Sequence, residues 1–522
     1  KEGKYKSAYQ HIEKALVKNS HNIKARGLKA YLLRKLGKLA QAESWVLENL
    51  TLDPFDFVSG NEQIVLRGSL DNKLKEIQNK KMRDFHENYL MAARDYAEFG
   101  AYKEAVEMLY KYIEDNPKHY PMLYYYQAYY MDCMGQEKEA KEFLAQAEQA
   151  DPSYCFPNKL EDIIVLQFAV EKGCQAKATY YLGNLFYDKL QWEEAVALWE
   201  ESVKAEPNFP TAWRNLALAY YNKKEDAKKA KKAMEKAFAL DNTDVRVFLE
   251  LDQLYKKLGW SAGQRLQNYK EHREFIEDRD DLYIEYITLV NLSGNYKEAY
   301  QNIMGHQFHP WEGGEGKVTT QYTLALLGMA KEALLKEEWI KAEKLLREAL
   351  VYPENLGEGK LEGTKDNHIY YYLGIALEAQ GKNKEAKACF ETATIGTDEP
   401  AGAMYYNDQP ADMILYQGLA YKKLGKEKEA KSRFYRLIDY GERHLDDQVK
   451  VEYFAVSLPD FLIFNEDYTA KNKAHCYYVM ALGYIGLEEK EKADKFLKQT
   501  VSIEPSHSMA QLYANSQMIW NN

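Results

Sequence analysis

The stretch from Tyr181 to Pro210, YLGNLFYDKLQWEEAVALWEESVKAEPNFP, decides the fold. Leu182, Gly183 and Phe186 open it, Ala195, Trp199 and Ser202 follow, and Pro207 closes it. A small residue with a large one three positions later lies on one stripe of a helix, and the small side chain lets a second helix approach closely. Ala195 repeats the device on the following helix. Pro207 forbids continuation of that helix and starts a new unit. The stretch reads as a helical hairpin of about 34 residues whose apolar stripe is buried only by stacking on neighbours.

The same residue classes recur at the same offsets. Around Ala105 they are Ala92, Ala93, Tyr96, Gly100, Tyr102, Leu109, Tyr112 and Pro117. Around Ala140 they are Ala128, Gly135, Leu144, Ala147 and Pro152; Ala386 brings Leu373, Gly374, Leu377, Gly381, Phe390 and Ala393, and Ala430 brings Gly418, Tyr421, Gly425 and Phe434. Copies fall at residues 23–56, 86–119, 121–154, 176–209, 210–243, 280–305, 323–356, 367–396, 411–444 and 474–507, and 1–18 reads as the second half of another. A chain that opens inside a repeat is expected to be a piece of a longer protein.

Composition agrees with helices. Tyr is abundant at 43 residues, whereas 13 Pro and 29 Gly are sparse punctuation for many short strands. The 70 basic and 80 acidic residues give a net charge of -10 without a long cationic block, which argues against nucleic-acid binding. The run Lys228, Lys229, Lys231 and Lys232 alternates with Ala and reads as a solvated helix face. Five scattered cysteines without a C-x-x-C pair suit a reducing compartment, and a cytoplasmic location is expected. No stretch reaches the roughly 20 apolar residues that span a bilayer.

Three segments, 57–85, 155–175 and 244–279, break the period yet stay helical, and read either as degenerate repeats or as inserted helices. They belong to a first array expected over residues 1–305; a second array is expected over 306–522. Within the second, residues 445–473 carry Val456, Leu458, Phe461, Leu462, Ile463 and Phe464, too apolar for an exposed loop, and are expected to pack into a groove or beside their own repeat. A final helix ending in Met518, Ile519 and Trp520 is expected to cap the array.

In this order these residues resemble the tetratricopeptide repeat family over most of the chain. The resemblance implies an all-α fold, a right-handed superhelical solenoid of antiparallel helix pairs, and a non-catalytic scaffold for a protein or peptide. Phe156-Pro157-Asn158-Lys159-Leu160-Glu161, the phrase from Pro207 to Tyr221 and the run His309 to Lys317 are similar to a subgroup of long bacterial proteins whose repeats follow an N-terminal β-rich, mutarotase-like domain. That likeness adds two candidate partners, the upstream domain and a carbohydrate, and an alternative role as the accessory region of a carbohydrate-active protein.

One irregularity stands out as a duplicated loop. His309-Pro310-Trp311-Glu312-Gly313-Gly314-Glu315-Gly316-Lys317-Val318 is matched by Tyr352-Pro353-Glu354-Asn355-Leu356-Gly357-Glu358-Gly359-Lys360-Leu361, with Pro and Gly-Glu-Gly-Lys at identical spacing. Two readings stay open. Glycine amides converging beside a lysine would make a paired site for an anionic or hydroxyl-rich ligand, lined by His306, His309, Trp311, Glu315, Lys317, Glu358 and Lys360; alternatively Gly and Pro only turn the chain while the side chains brace neighbouring helices. The spacing is not that of a P-loop.

Two further sets are suggested by the family. Asn184 and Asn215 resemble the asparagines of a carboxylate clamp, although Tyr180, Val245 and Leu249 stand where its cations would be. Tyr180, Tyr181, Tyr220, Tyr221, Tyr370, Tyr371 and Tyr372 fall on first helices, which line the concave face in this family. No nucleophile with a base, no metal-ligand cluster beyond His306 with His309, and no cofactor motif is recognisable, so no enzymatic activity, metal or cofactor is expected.

Overall fold

The computed structural model describes residues 3–68, 72–116, 120–311, 313–402, 408–449 and 463–515. Among these every element is a helix, and no strand occurs. Two compact units divide the chain, Lys1–Leu216 and Ala217–Asn522. The boundary expected at residue 305 falls inside the second.

In the first unit, helices pair as Ile23–Lys35 with Leu39–Leu52, His86–Glu98 with Tyr102–Asp115, Pro121–Cys133 with Glu137–Gln149, and Lys177–Asp188 with Trp192–Ala205. The second pairs Asp280–Leu292 with Tyr296–Met304, Lys317–Leu335 with Trp339–Ala349, Asn367–Ala379 with Asn383–Ala393, Ala411–Lys423 with Glu427–His444, and Tyr468–Gly486 with Lys490–Ile503. The code seen at Gly183 and Trp199 is a packing code. A methyl group on Gly183 would lie 2.6 Å from the Trp199 ring, on Gly374 2.5 Å from Phe390, and on Gly418 2.2 Å from Phe434. Only a bare Cα lets the aromatic ring of the second helix lie across the first.

The aperiodic segments resolve into both alternatives. Residues 57–85 form a helix pair, Phe57–Arg67 with Asn72–Met82, and 244–279 form Val245–Lys257 and Ala262–Glu271 with a 3-10 turn, so both are degenerate repeats. Residues 155–175 contribute a single helix, Leu160–Glu171, inserted between Pro121–Cys133 and Lys177–Asp188. In both degenerate repeats a buried ion cluster accompanies the packing. Arg34 donates to both Glu62 oxygens (2.5 and 3.0 Å) and to Glu104 (3.1 Å), and the Tyr96 hydroxyl donates to Glu62 at 2.9 Å. Arg265, 4 % exposed, donates to both Asp252 oxygens (2.8 and 2.5 Å) and to Glu285 (2.6 Å), with the Tyr269 hydroxyl on Asp252 at 3.0 Å.

The second unit closes on itself. Phe464, 1 % exposed, meets the edge of Tyr221 at 5.0 Å between ring centroids. Asn222 donates to the Ile463 carbonyl (2.7 Å) and accepts from the Asn465 amide (2.8 Å), while Lys257 is paired with Glu466. The last helix, Ser508–Asn515, packs against Asp280–Leu292. The described end of the apolar segment 445–473 therefore packs against the start of its own unit; Val456, Leu458, Phe461 and Leu462 lie outside the described residues, as do Pro117, Glu312, Met518, Ile519 and Trp520.

Candidate functional site

The duplicated loops are positioned by one another. The Phe308 amide donates to the Asn355 carbonyl at 2.9 Å, and the Asn355 side-chain amide donates to the carbonyls of Ile303 (2.8 Å) and His306 (2.9 Å). Gly357, with φ +73°, passes so close to the first loop that a Cβ there would lie 2.7 Å from the Phe308 carbonyl oxygen. Only glycine fits both demands.

This docking engages several of the groups that the sequence offered to an anion. The Gly316 amide donates to both Glu358 oxygens, at 3.1 and 2.9 Å. Lys360 pairs with Asp366 at 2.7 Å and donates to the Leu350 carbonyl. His306 and His309 both rest on Asp280: Nε2 of His306 lies 2.7 Å from Oδ1, and the His309 amide donates to Oδ2 at 2.7 Å. Burial pushes the Asp280 carboxyl up, but the hydrogen bonds from the two histidines outweigh it and leave the group below the usual carboxylate range. Trp311 lies across Gly314, whose missing Cβ would be 2.2 Å from the ring, and Lys317 begins the helix Lys317–Leu335. Glu358, Lys360, His306 and His309 thus brace neighbouring segments, while Trp311 Nε1 is buried without a hydrogen-bond partner among the described residues. Among the described residues no group of three or more His, Cys, Asp or Glu is placed to hold a metal.

Beside the loops lies a cavity of about 600 Å³ in the second unit. Its walls come from Lys317–Leu335, Asn367–Ala379, Ala411–Lys423 and Ser508–Asn515, with the second glycine loop along one side. Leu324, Leu361, Met413, Met509 and Leu512 give it apolar surface; Thr319, Thr320 and Thr323 give hydroxyls. Glu315 and Glu358 are the two sequence-nominated residues that line it. Burial raises the Glu358 carboxyl above its ordinary range; the Gly316 amide opposes and the neighbouring Glu315 adds to the rise. His368 also lines the cavity, and its Nδ1 is buried without a hydrogen-bond partner. Burial, reinforced by Lys331 and Lys360, depresses this imidazole to about 3, so the ring is neutral. At one end Asp412 accepts from the hydroxyls of Tyr478 (2.7 Å) and Tyr513 (3.1 Å), which fixes the last helix against two repeats.

The other nominated residues lie elsewhere. Asn215 donates to Asn184 at 3.0 Å, and Trp199 Nε1 donates to the same Asn184 oxygen at 3.0 Å. Tyr180 and Tyr371 are buried, packed on Phe209 and on Tyr416 respectively. The asparagine pair is thus engaged in packing, and the two tyrosines present no ring to solvent. The first unit holds a more open hollow of about 410 Å³ at His86, Arg94, Tyr120, Tyr154 and Phe156. Sequence reasoning missed His368, Thr320 and Met509; their only signal is a position on a first or last helix just off the apolar stripe.

Helix pairs stacked through glycine and alanine contacts define an all-helical repeat protein. Tetratricopeptide-repeat family models match residues 183–224, 210–244, 368–394, 412–440 and 474–507, so the chain carries such repeats in both units. Among solved structures the chain is similar to YrrB, described as a TPR protein with an unusual peptide-binding site, at 18% identity over 46% of this chain and 97% of that one, with a TM-score of 0.18. It is also similar to a tetratricopeptide repeat protein from Parabacteroides merdae (16% identity, 56% and 98% covered, TM-score 0.24). A third is the Cut9–Hcn1 hetero-tetramer of the APC/C (12% identity, 98% and 92% covered, TM-score 0.25). Among the described residues no helix is long and apolar enough to cross a membrane.

Proposed function

We propose that this chain is a protein-interaction scaffold without catalytic activity and that the cavity of the second unit holds a peptide segment of a partner. The observation that carries the reading is the cavity itself: about 600 Å³, walled by first helices of successive repeats, apolar with a few polar groups. That size and mixture suit a ligand pocket, which typically encloses about 300–1,000 Å³. Glu315 and Glu358 are the nominated residues carried into this proposal. Repeat stacking supports it physically, because each added helix pair extends one continuous surface that no single hairpin could offer.

The test is to pan a displayed peptide library against the full chain and to remeasure each hit on Thr320→Trp. Thr320 is exposed on the cavity wall, so the indole fills the space without entering the helix core. Hits are expected to lose at least about tenfold in affinity on this variant, while its circular dichroism and melting temperature stay those of the parent. Binding that Thr320→Trp leaves unchanged would place the interaction elsewhere and end the reading.

A further inference from the structure

We infer that the cavity selects a partner segment in which a lysine or arginine is flanked by apolar residues; the inference rests on the peptide reading above. Three carboxylates at the cavity, Glu315, Glu358 and Glu362, have no cationic side chain on them among the described residues. Among the described residues Glu315 has neither a donor nor a cation, and Glu358 is held by the Gly316 amide alone, which fixes its carboxylate in place without neutralising it. Cations of the chain itself are mostly directed to other partners: Lys360 to Asp366, and Lys331 over the Tyr372 ring at 4.7 Å. His368 is neutral and adds no positive charge. Lys365 is the remaining lysine of the wall.

A carboxylate that is half-buried and unpaired raises the free energy of the empty cavity, and an entering cation relieves this. Lysine and arginine match the rest of the surface as well, because their methylene stems lie along apolar walls while the charged head reaches the carboxylates. Leu324 and Leu361 supply such a wall beside the glycine loop. An acidic segment would add like charge to a low-dielectric space, so the same groups exclude it.

The experiment uses the full chain and the peptides that Thr320→Trp displaces. Each Lys or Arg in them is replaced in turn by norleucine, which keeps the stem and removes the charge, and dissociation constants are read by fluorescence anisotropy at low and high salt. One replacement per peptide is expected to weaken binding about tenfold or more, and that difference is expected to shrink on Glu358→Gln and on Glu315→Gln. Glu315→Gln guards against misfolding, since its side chain holds no structural partner. Displaced peptides without a basic residue, or norleucine variants that bind as tightly as their parents, would overturn the cation preference and leave the cavity reading standing. Peptides indifferent to Thr320→Trp would remove both.

Discussion

A methyl group on Gly418 would sit 2.2 Å from the Phe434 ring, which is buried against two helices. In an exposed helix, alanine is better than glycine by about 0.5–1 kcal/mol, so propensity alone favours Gly418→Ala. Overpacking a buried contact costs about 1–3 kcal/mol, and here the neighbour is a ring that cannot swing aside. The clash wins, and Gly418→Ala is expected to lower stability by about 1–2 kcal/mol, read as a shifted urea midpoint; a raised midpoint would show that Phe434 has room. This device was legible in the sequence because Gly183 with Trp199, Gly374 with Phe390 and Gly418 with Phe434 keep one spacing. The fates of Tyr180 and Tyr371 were not. With 43 tyrosines in the chain, a ring on a first helix faces core or groove according to a small rotation of the helix, and the linear pattern leaves that rotation undetermined.

Between residues and molecule stand the elements that break the repeat. The helices Val245–Lys257 and Ala262–Glu271 are tied by Arg265 to Asp252 and onward to Glu285. Removing one partner of such a pair strands a buried charge at a cost of about 3–5 kcal/mol, whereas replacing both by apolar side chains is often neutral. Arg265→Met is therefore expected to lower the urea midpoint strongly, and Arg265→Met with Asp252→Leu to recover most of it; no recovery would mean that Glu285 carries the penalty. Sequence reading found these segments helical but left repeat and insertion open, because the small residues that mark a repeat give way here to charges whose partners lie on other helices. The glycine loops behaved alike. Their duplication was plain, yet their docking through Asn355 and Glu358 depends on contacts between chain segments distant in sequence.

At the scale of the whole second unit, acid titrates against the fold through histidines. His507 accepts from the Ala510 amide at 3.1 Å and so caps the last helix in its neutral form; burial first, with His475 beside it, depresses its imidazole to about 4. His368 is depressed to about 3. In the unfolded chain both take a proton near pH 6.5, while the folded unit resists until far lower. Their contribution is thus complete above about pH 6.5 and is lost as the pH falls towards those depressed values. Between pH 7 and 5, above the range in which ordinary carboxylates titrate, the urea midpoint is expected to fall with pH. His507→Asn, which keeps a capping side chain without the titration, is expected to flatten the slope. An unchanged slope would assign the effect to other groups.

An open array grows or shrinks by a hairpin at little cost, because each hairpin touches only the ones beside it. The link from Asn222 to Ile463 and Asn465 removes that freedom from the second unit. Deleting or duplicating one hairpin between those anchors would rotate and translate Asn465 away from Asn222, and Phe464 would lose its berth. Descendants of this sequence are therefore held to a constant number of hairpins between the two anchors, and change in length is confined to loops that the anchors do not feel.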